Sequence, residues 1–575
     1  MGPRLGSRDG DHPLDPPAPR EGPRPGRLGR GRPRDRAPGS GRSPRFGPGL
    51  PPRRGPPLAP RSVQTPRVSS GARRTSSAIS GLSMGDIPAT ETRRPARTAM
   101  PPAESVDAAE PPPVGPARGG LERSARPSRS TGTTRRIWTL AWPAIATNLL
   151  HSLVGLVDVK IVGSLGADAV SAVSTGHRIF FILQGVLVAV TAGTTALVAR
   201  AWGAEDRGEA ERVTRSSLWL CLGFAGLLTA PGVLFARNLA GMFQGLEPAT
   251  MDLAADFIRT LAWFNLAFAF NIVLGTALRA AGDTKTPLLI AIATNVVNVG
   301  LLYGLVYGEW GLPALGVLGA ALANGLAFSF GALLTVGLWL GRRLVIQWGP
   351  RGGDLSAQRL RQILNIGYPS GLEQFVFQGG LIVFLMIVAR FGESPYAAYS
   401  IGVNILSFSF LVGFGFSIAA STLVGQNLGA GDPAGAERSG WRAMWLSIGV
   451  MVVFGAVIIG AAEPLARFLI DDDEVVRLTV VFIWLLGSVQ ALMGIEFALG
   501  GALRGAGDTR FPLLTVFAGF FLGRIPVALL FVWLGWSVEW IFAALLIDYV
   551  IKATGLVTRF RGGRWKSIIA PVEPG

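Results

Sequence analysis

Three carboxylates set in otherwise apolar stretches, Asp158, Glu373 and Glu496, are the side chains of this sequence best placed to do chemistry. An ionisable group at membrane depth is expensive, and it faces a cavity or a partner by default. Asp158 lies 21 residues into the apolar run that opens at Ile137, ~31 Å along at the helical rise. Its neighbour Lys160 stands at i, i+2, so the two do not face each other on a helix. Glu373 sits ten residues into its run, ~15 Å deep. Glu496 precedes Arg504 by eight residues, ~12 Å from that end of its helix. Polar amides accompany these acids at depth: Gln374 beside Glu373, and Asn271, Asn295, Asn298 and Asn324 elsewhere. They are candidates to line a cavity, the alternative being interhelical hydrogen bonds that hold the bundle together. Arg524, Asp548 and Lys552 are expected to be structural, Asp548 and Lys552 being spaced i, i+4 so that they neutralise each other. His177 is expected to be a satisfied polar residue rather than a switch.

Other chemistries are poorly provided for. The three histidines lack metal-ligand spacing, and a single cysteine, Cys221, allows neither an internal disulfide nor a CxxC site. No metal site is expected. No G-x-x-x-x-G-K-[ST] loop occurs, so ATP is not expected to drive the chain. The run Asp471-Asp472-Asp473 is expected to be a solvated turn.

The elements that must hold these groups are membrane helices. Apolar residues make up 49% and charged residues 16% of the 575, well under the charged share of a soluble domain. Twelve runs of spanning length follow one another: 137–160, 168–198, 216–236, 253–279, 286–308 and 314–341, then 363–389, 396–425, 441–462, 475–503, 511–534 and 538–558. The net charge of +17 belongs to the tail, where 26 Arg face 11 acids up to Arg136. Residues 1–134 are rich in Pro, Arg, Gly and Ser and are expected to be a disordered cytoplasmic tail. The tail is read as inert, or as a start placed too early with translation from Met84 or Met100; an electrostatic tether is its functional alternative. No signal peptide is expected, because no apolar h-region opens the chain. The folded part divides into a six-helix lobe at 135–345, a linker at 346–362, a second six-helix lobe at 363–567 and a short tail at 568–575. No nucleic-acid partner is expected for it.

The two lobes repeat one another. Ala277-Leu278-Arg279-Ala280-Ala281-Gly282-Asp283-Thr284 returns 225 residues later as Ala502-Leu503-Arg504-Gly505-Ala506-Gly507-Asp508-Thr509, and Pro143 returns 226 residues later as Pro369. Six helices per copy make the repeat parallel, related by an axis along the membrane normal, with a central cavity between the lobes. Gly282, Gly429, Gly431 and Gly507 are expected in sharp turns that need φ > 0. One set of loops holds Arg207, Arg212, Arg342, Arg438, Arg504 and Arg559, and the other is poor in bases. By the positive-inside rule both termini are cytoplasmic.

Several of these motifs resemble the multidrug and toxic compound extrusion family. They are Gly425-Gln426-Asn427-Leu428-Gly429-Ala430-Gly431-Asp432, the two Ala-Leu-Arg-x-Ala-Gly-Asp-Thr copies, Leu156-Val157-Asp158, and Arg559-Phe560-Arg561-Gly562-Gly563-Arg564-Trp565. Pro369-Ser370-Gly371-Leu372-Glu373-Gln374 is most similar to its DinF-like branch. The resemblance covers residues ~135–567 and implies an all-α integral membrane protein with twelve helices in a V-shaped, two-lobe fold. It also implies a monomer in the plasma membrane that exports cationic or amphipathic organic compounds against H⁺ or Na⁺, with no cofactor beyond the coupling ion. The family's cation or proton site falls on Asp158, with Asn298 as its polar neighbour, and its second-lobe carboxylates fall on Glu373 and Glu496. Where family members of the Na⁺/H⁺ type place an acid four residues after Asn298, this chain has Leu302, which favours a proton. A flippase for a lipid-linked saccharide and an intramembrane enzyme are the alternatives. The acids of the first and seventh helices lean toward cationic cargo.

Overall fold

The computed structural model describes residues 130–242, 247–347 and 356–568. The Arg-rich tail and most of the short C-terminal tail lie outside the described residues, as does the middle of the linker. Helix already begins at Ser130 and resumes at Ala357. The first lobe consists of α1 (Ser130–Gly163), α2 (Ala167–Gly203), α3 (Arg207–Leu234), the short α4 (Ala236–Ala240), α5 (Pro248–Trp263), α6 (Asn265–Ala280), α7 (Lys285–Tyr307) and α8 (Gly316–Leu340). The second consists of α9 (Ala357–Ala389), α10 (Glu393–Gly429), α11 (Pro433–Gly460), α12 (Ala462–Leu469), α13 (Asp473–Ser488), α14 (Gln490–Ala506), α15 (Arg510–Phe517), a π-helical turn (Ala518–Arg524), α16 (Ile525–Trp533) and α17 (Val538–Arg561). Among the described residues ten helices are long and apolar enough to cross a membrane, and up to twelve spans result if each of two bent pairs is one.

The repeat is visible in the local geometry. Helices α2 and α10 each have 37 residues, and α3 and α11 each have 28. Asp206 and Asp432 open α3 and α11 in the same way, accepting from the amides of Glu209 at 2.8 Å and Gly435 at 2.7 Å; each fills one of the unpaired donors at a helix start. Gly282, Gly431 and Gly507 have φ of 95°, 71° and 88°, as turns require. Gly429 does not: it ends α10 in helical conformation, and its role is close approach.

The runs at 253–279 and 475–503 are not single straight helices. The first is broken between α5 and α6 by 56°, the second between α13 and α14 by 50°. Neither break contains a proline. Side-chain amides of the following residues sit there instead. Asn265 accepts from Gln184 at 2.6 Å and donates to the Ala225 carbonyl at 2.9 Å. Gln490 donates to Ser409 at 3.0 Å. Both tie the start of the second half-helix to the long helix of the same lobe, α2 or α10. Kinks need such an identifiable cause.

The lobes meet along a seam of close backbone approach between α1, α2, α9 and α10. A Cβ on Gly203 would lie 1.9 Å from the Gln426 carbonyl oxygen, and one on Gly429 would lie 1.9 Å from that of Arg200. Those two contacts exchange under the repeat, since 203 and 429 correspond and so do 200 and 426. A Cβ on Gly367 would meet the Ala189 oxygen at 1.8 Å, and one on Gly415 the Ala141 oxygen at 3.1 Å, a second exchanged pair. Hydrogen bonds reinforce the seam: Thr422 and Gln426 of α10 donate to the carbonyls of Arg279 (3.1 Å) and Ala280 (2.9 Å). All these residues lie toward the end that carries the basic loops, so that end is closed. Small residues allow such packing where lipid gives helices no hydrophobic reason to associate. Gly429→Val is therefore expected to part the seam at a cost of about 1–3 kcal/mol, read as a lower melting temperature in detergent. Gly226→Val, where nothing lies within 4 Å, should leave that temperature near the parent's. Equal melting of the two would remove the seam from the account.

Candidate functional site: a cavity between the lobes and a niche in the first

A cavity of about 770 Å³ lies above the seam, lined by α2 and α6 of the first lobe and α9, α10, α14 and α17 of the second. Its walls are largely aromatic and aliphatic, with Phe181, Phe377, Phe410, Phe414 and Phe497 prominent. Such a lining with a few converging polar groups suits amphipathic organic ligands.

The acids predicted for the second lobe border this cavity, but none is free. Glu373 of α9 accepts two hydrogen bonds from Arg504 of α14, at 2.5 and 3.3 Å. Arg504 is thus no loop residue: α14 continues to Ala506, and the guanidinium turns back into the cavity wall. Glu496 accepts from the Lys552 ammonium at 3.1 Å, and Asp548 lies 3.4 Å from the same nitrogen. Asp548 also accepts from Arg524. The i, i+4 pair is therefore half of a larger cluster. Asp548, Lys552 and Arg524 are at most 2% exposed. Arg524 reaches it from the π-helical turn, where its guanidinium lies 4.4 Å from the Phe520 ring centre. Lys552 lies 4.4 Å from that of Tyr549. Such π-faces favour desolvated cations. Three acids are matched by three bases, so this wall is not the acidic surface that the first and seventh helices suggest. Gln374 also lines the cavity.

Asp158 occupies a separate niche within the first lobe. It is 4% exposed, and its Oδ2 accepts from Asn324 of α8 at 3.4 Å. Asn324 in turn accepts from Asn298 of α7 at 3.0 Å. Asn298 is thus one amide removed from the aspartate, and Asn324 stands between them. His177 of α2 places Nε2 4.0 Å from Asp158, its ring held edge-on against Phe257 at 5.0 Å. His177, expected to be a satisfied polar residue rather than a switch, thus has Asp158 as its polar neighbour. The Oδ1 atoms of Asp158 and Asn298 are buried without a partner, two acceptors that a proton or small cation would satisfy; the Nδ2 of Asn295 is also buried without a partner, but as a donor it calls for an acceptor instead. Asn271 is not part of the niche. It donates to the carbonyls of Ala267 at 3.0 Å and Phe328 at 2.7 Å, tying α6 to α8.

Comparison with known proteins agrees with this construction. A model of the MatE family matches residues 143–303 and again 369–530, the two copies starting at the repeated prolines. A protein described as probable multidrug resistance protein NorM from Thermotoga maritima is 31% identical over 434 residues, covering 74% of this chain and 92% of its own length. The protein of the same description from Bradyrhizobium diazoefficiens is 28% identical over 431 residues, covering 71% and 91%. A solved structure of the outward-facing conformation of a multidrug resistance MATE family transporter of the MOP superfamily has a similar fold, with a TM-score of 0.70 at 20% identity over 75% of this chain and 97% of its own. With both lobes matched in the register of the internal repeat, and with a relative of this identity spanning nearly its own full length, the chain belongs to the MatE (multidrug and toxic compound extrusion) family.

Proposed function

We propose that the chain is a multidrug efflux antiporter of the plasma membrane, acting as a monomer that exports amphipathic organic compounds, cations among them, by rocking two similar lobes about a central cavity. The observation that carries this reading is the largely apolar cavity of about 770 Å³ between repeat-related lobes, closed at one end by an exchanged set of backbone contacts. If the basic loops are cytoplasmic, the closed end faces the cytoplasm and the arrangement is outward-open. The coupling ion is H⁺, taken up at Asp158, because the niche offers a single carboxylate and Asn324 Oδ1 already accepts from Asn298, which leaves too few of the several oxygen ligands that a Na⁺ site needs.

Inverted membrane vesicles holding the protein should accumulate ethidium when a pH gradient is imposed, and a Na⁺ gradient alone should drive less than a tenth as much. No accumulation above empty vesicles under either gradient would end the transport reading; accumulation driven by Na⁺ alone would end the proton assignment. Orientation has its own check. A cysteine near Arg207 or Arg438 should resist impermeant thiol reagents in intact cells, and one near Asp472 should react. The native Cys221 is fully buried and contributes little background. Reversed labelling would invert the topology.

A further inference from the structure

The charges around the cavity do not cancel. Every acid and base of the second lobe that touches it has a partner of opposite sign: Glu373 with Arg504, Glu496 with Lys552, Arg524 with Asp548. Arg279 of α6 is the exception. It lines the same cavity, and its guanidinium makes one hydrogen bond, to the Thr276 hydroxyl at 3.1 Å. No carboxylate among the described residues pairs with it. The repeat explains the asymmetry. Arg279 corresponds to Arg504, but the position corresponding to Glu373 is Thr147, whose hydroxyl is spent on the Pro143 carbonyl at 2.8 Å. The first lobe keeps the arginine and lacks its counter-ion.

A guanidinium has five donors in a fixed planar fork that matches a carboxylate or phosphate. Facing a poorly hydrated space with one neutral partner, it leaves most of those donors and a whole charge to be compensated by whatever enters. The same cavity is lined by Thr191, Thr195 and Thr422, the last of which donates to the Arg279 carbonyl at 3.1 Å, and by the rings of Phe377 and Phe410. We propose that Arg279 is an anion subsite of the transport cavity, so that the exported compounds include amphiphiles bearing a carboxylate or a similar planar anion, zwitterions among them, with the aromatic walls holding the apolar body. This rests on the efflux reading above and extends the range of charge that it covers.

The test uses the purified protein in lipid nanodiscs at pH 7.5, where 1-pyrenebutyrate is ionised, and its methyl ester as a matched neutral probe. The readout is the ratio of the two affinities, which cancels any general change in the cavity. Arg279→Gln should lower the carboxylate-to-ester ratio at least tenfold, the scale of one lost charged hydrogen bond. Arg279→Lys, which keeps the charge but not the fork, should fall between. Tight ester binding by each variant shows that the cavity has formed. A ratio unchanged in Arg279→Gln overturns the anion subsite and leaves efflux standing. Binding of neither probe by the parent protein overturns it as well; ethidium accumulation in vesicles then decides whether the efflux reading falls with it.

Discussion

Asp158→Asn is expected to abolish gradient-driven efflux, bringing ethidium accumulation down to that of empty vesicles while expression and helix content stay normal. Asparagine preserves the shape of the side chain and can still accept from Asn324, whose Nδ2 lies 3.4 Å from the carboxylate. What it removes is the negative charge and the ability to bind and release a proton. In the parent, protonation converts Oδ1 or Oδ2 from acceptor to donor. A proton on Oδ2 would force the chain Asp158–Asn324–Asn298 to reorient its amides, one on the unpartnered Oδ1 would give the niche a new donor, and in either case His177, 4.0 Å away, loses the charge it faces. These four residues sit on α1, α8, α7 and α2, so one proton bears on the packing of four helices. A change confined to this niche can bias the lobe between two arrangements only if the two differ in how well they satisfy it. Asn324→Ala, which removes the bridge and leaves the acid, should weaken efflux without eliminating it. Transport by Asp158→Asn at the parent rate under a pH gradient would move the coupling role to Glu373 or Glu496.

The spans and their repeat were legible because both depend on local pattern. Long apolar runs mark helices, and two sets of turns at one offset mark two copies of a unit. The break at Phe264 was not legible, because no proline or glycine marks it; the one at Val489 follows Gly487-Ser488, a weak signal that many straight membrane helices also carry, and both are held by side chains on other helices, Gln184 and Ser409. Arg504 was misplaced for a related reason. A base near the end of an apolar run reads as a loop residue, yet its partner Glu373 lies 131 residues earlier, and only the placing of α9 and α14 around one cavity brings the two side chains together. The carboxylates were found because a charge at depth is conspicuous in any sequence. Their counter-ions were harder to see, since the same long side chains also snorkel to interfaces. Asn324 was visible as a polar residue at depth, but its position as the link between Asp158 and Asn298 depends on how α8 is rotated against α1 and α7.

Asp548→Asn is expected to be the most damaging single change in the second lobe. Asp548 is fully buried and accepts from Arg524, with the Lys552 ammonium 3.4 Å away. Without its charge, two buried cations share Glu496 alone, and Glu496 touches only Lys552, at 3.1 Å. Removing one partner of a buried ion pair costs about 3–5 kcal/mol, because the desolvated charge left behind has no compensation. The same substitution at Asp473, an exposed residue paired with Arg467 at 3.0 Å, should change little, since water and salt screen such pairs. Melting in detergent should therefore fall sharply for Asp548→Asn and hardly at all for Asp473→Asn. Adding Lys552→Met to Asp548→Asn removes one of the stranded cations, and part of the lost stability should return, so that the two changes together cost less than their separate costs combined. That non-additivity separates a charge cluster from simple packing loss: deleting two well-packed side chains that do not interact would give additive costs. A melting temperature for Asp548→Asn within a degree of the parent would show that Arg524 and Lys552 are compensated by something other than this aspartate.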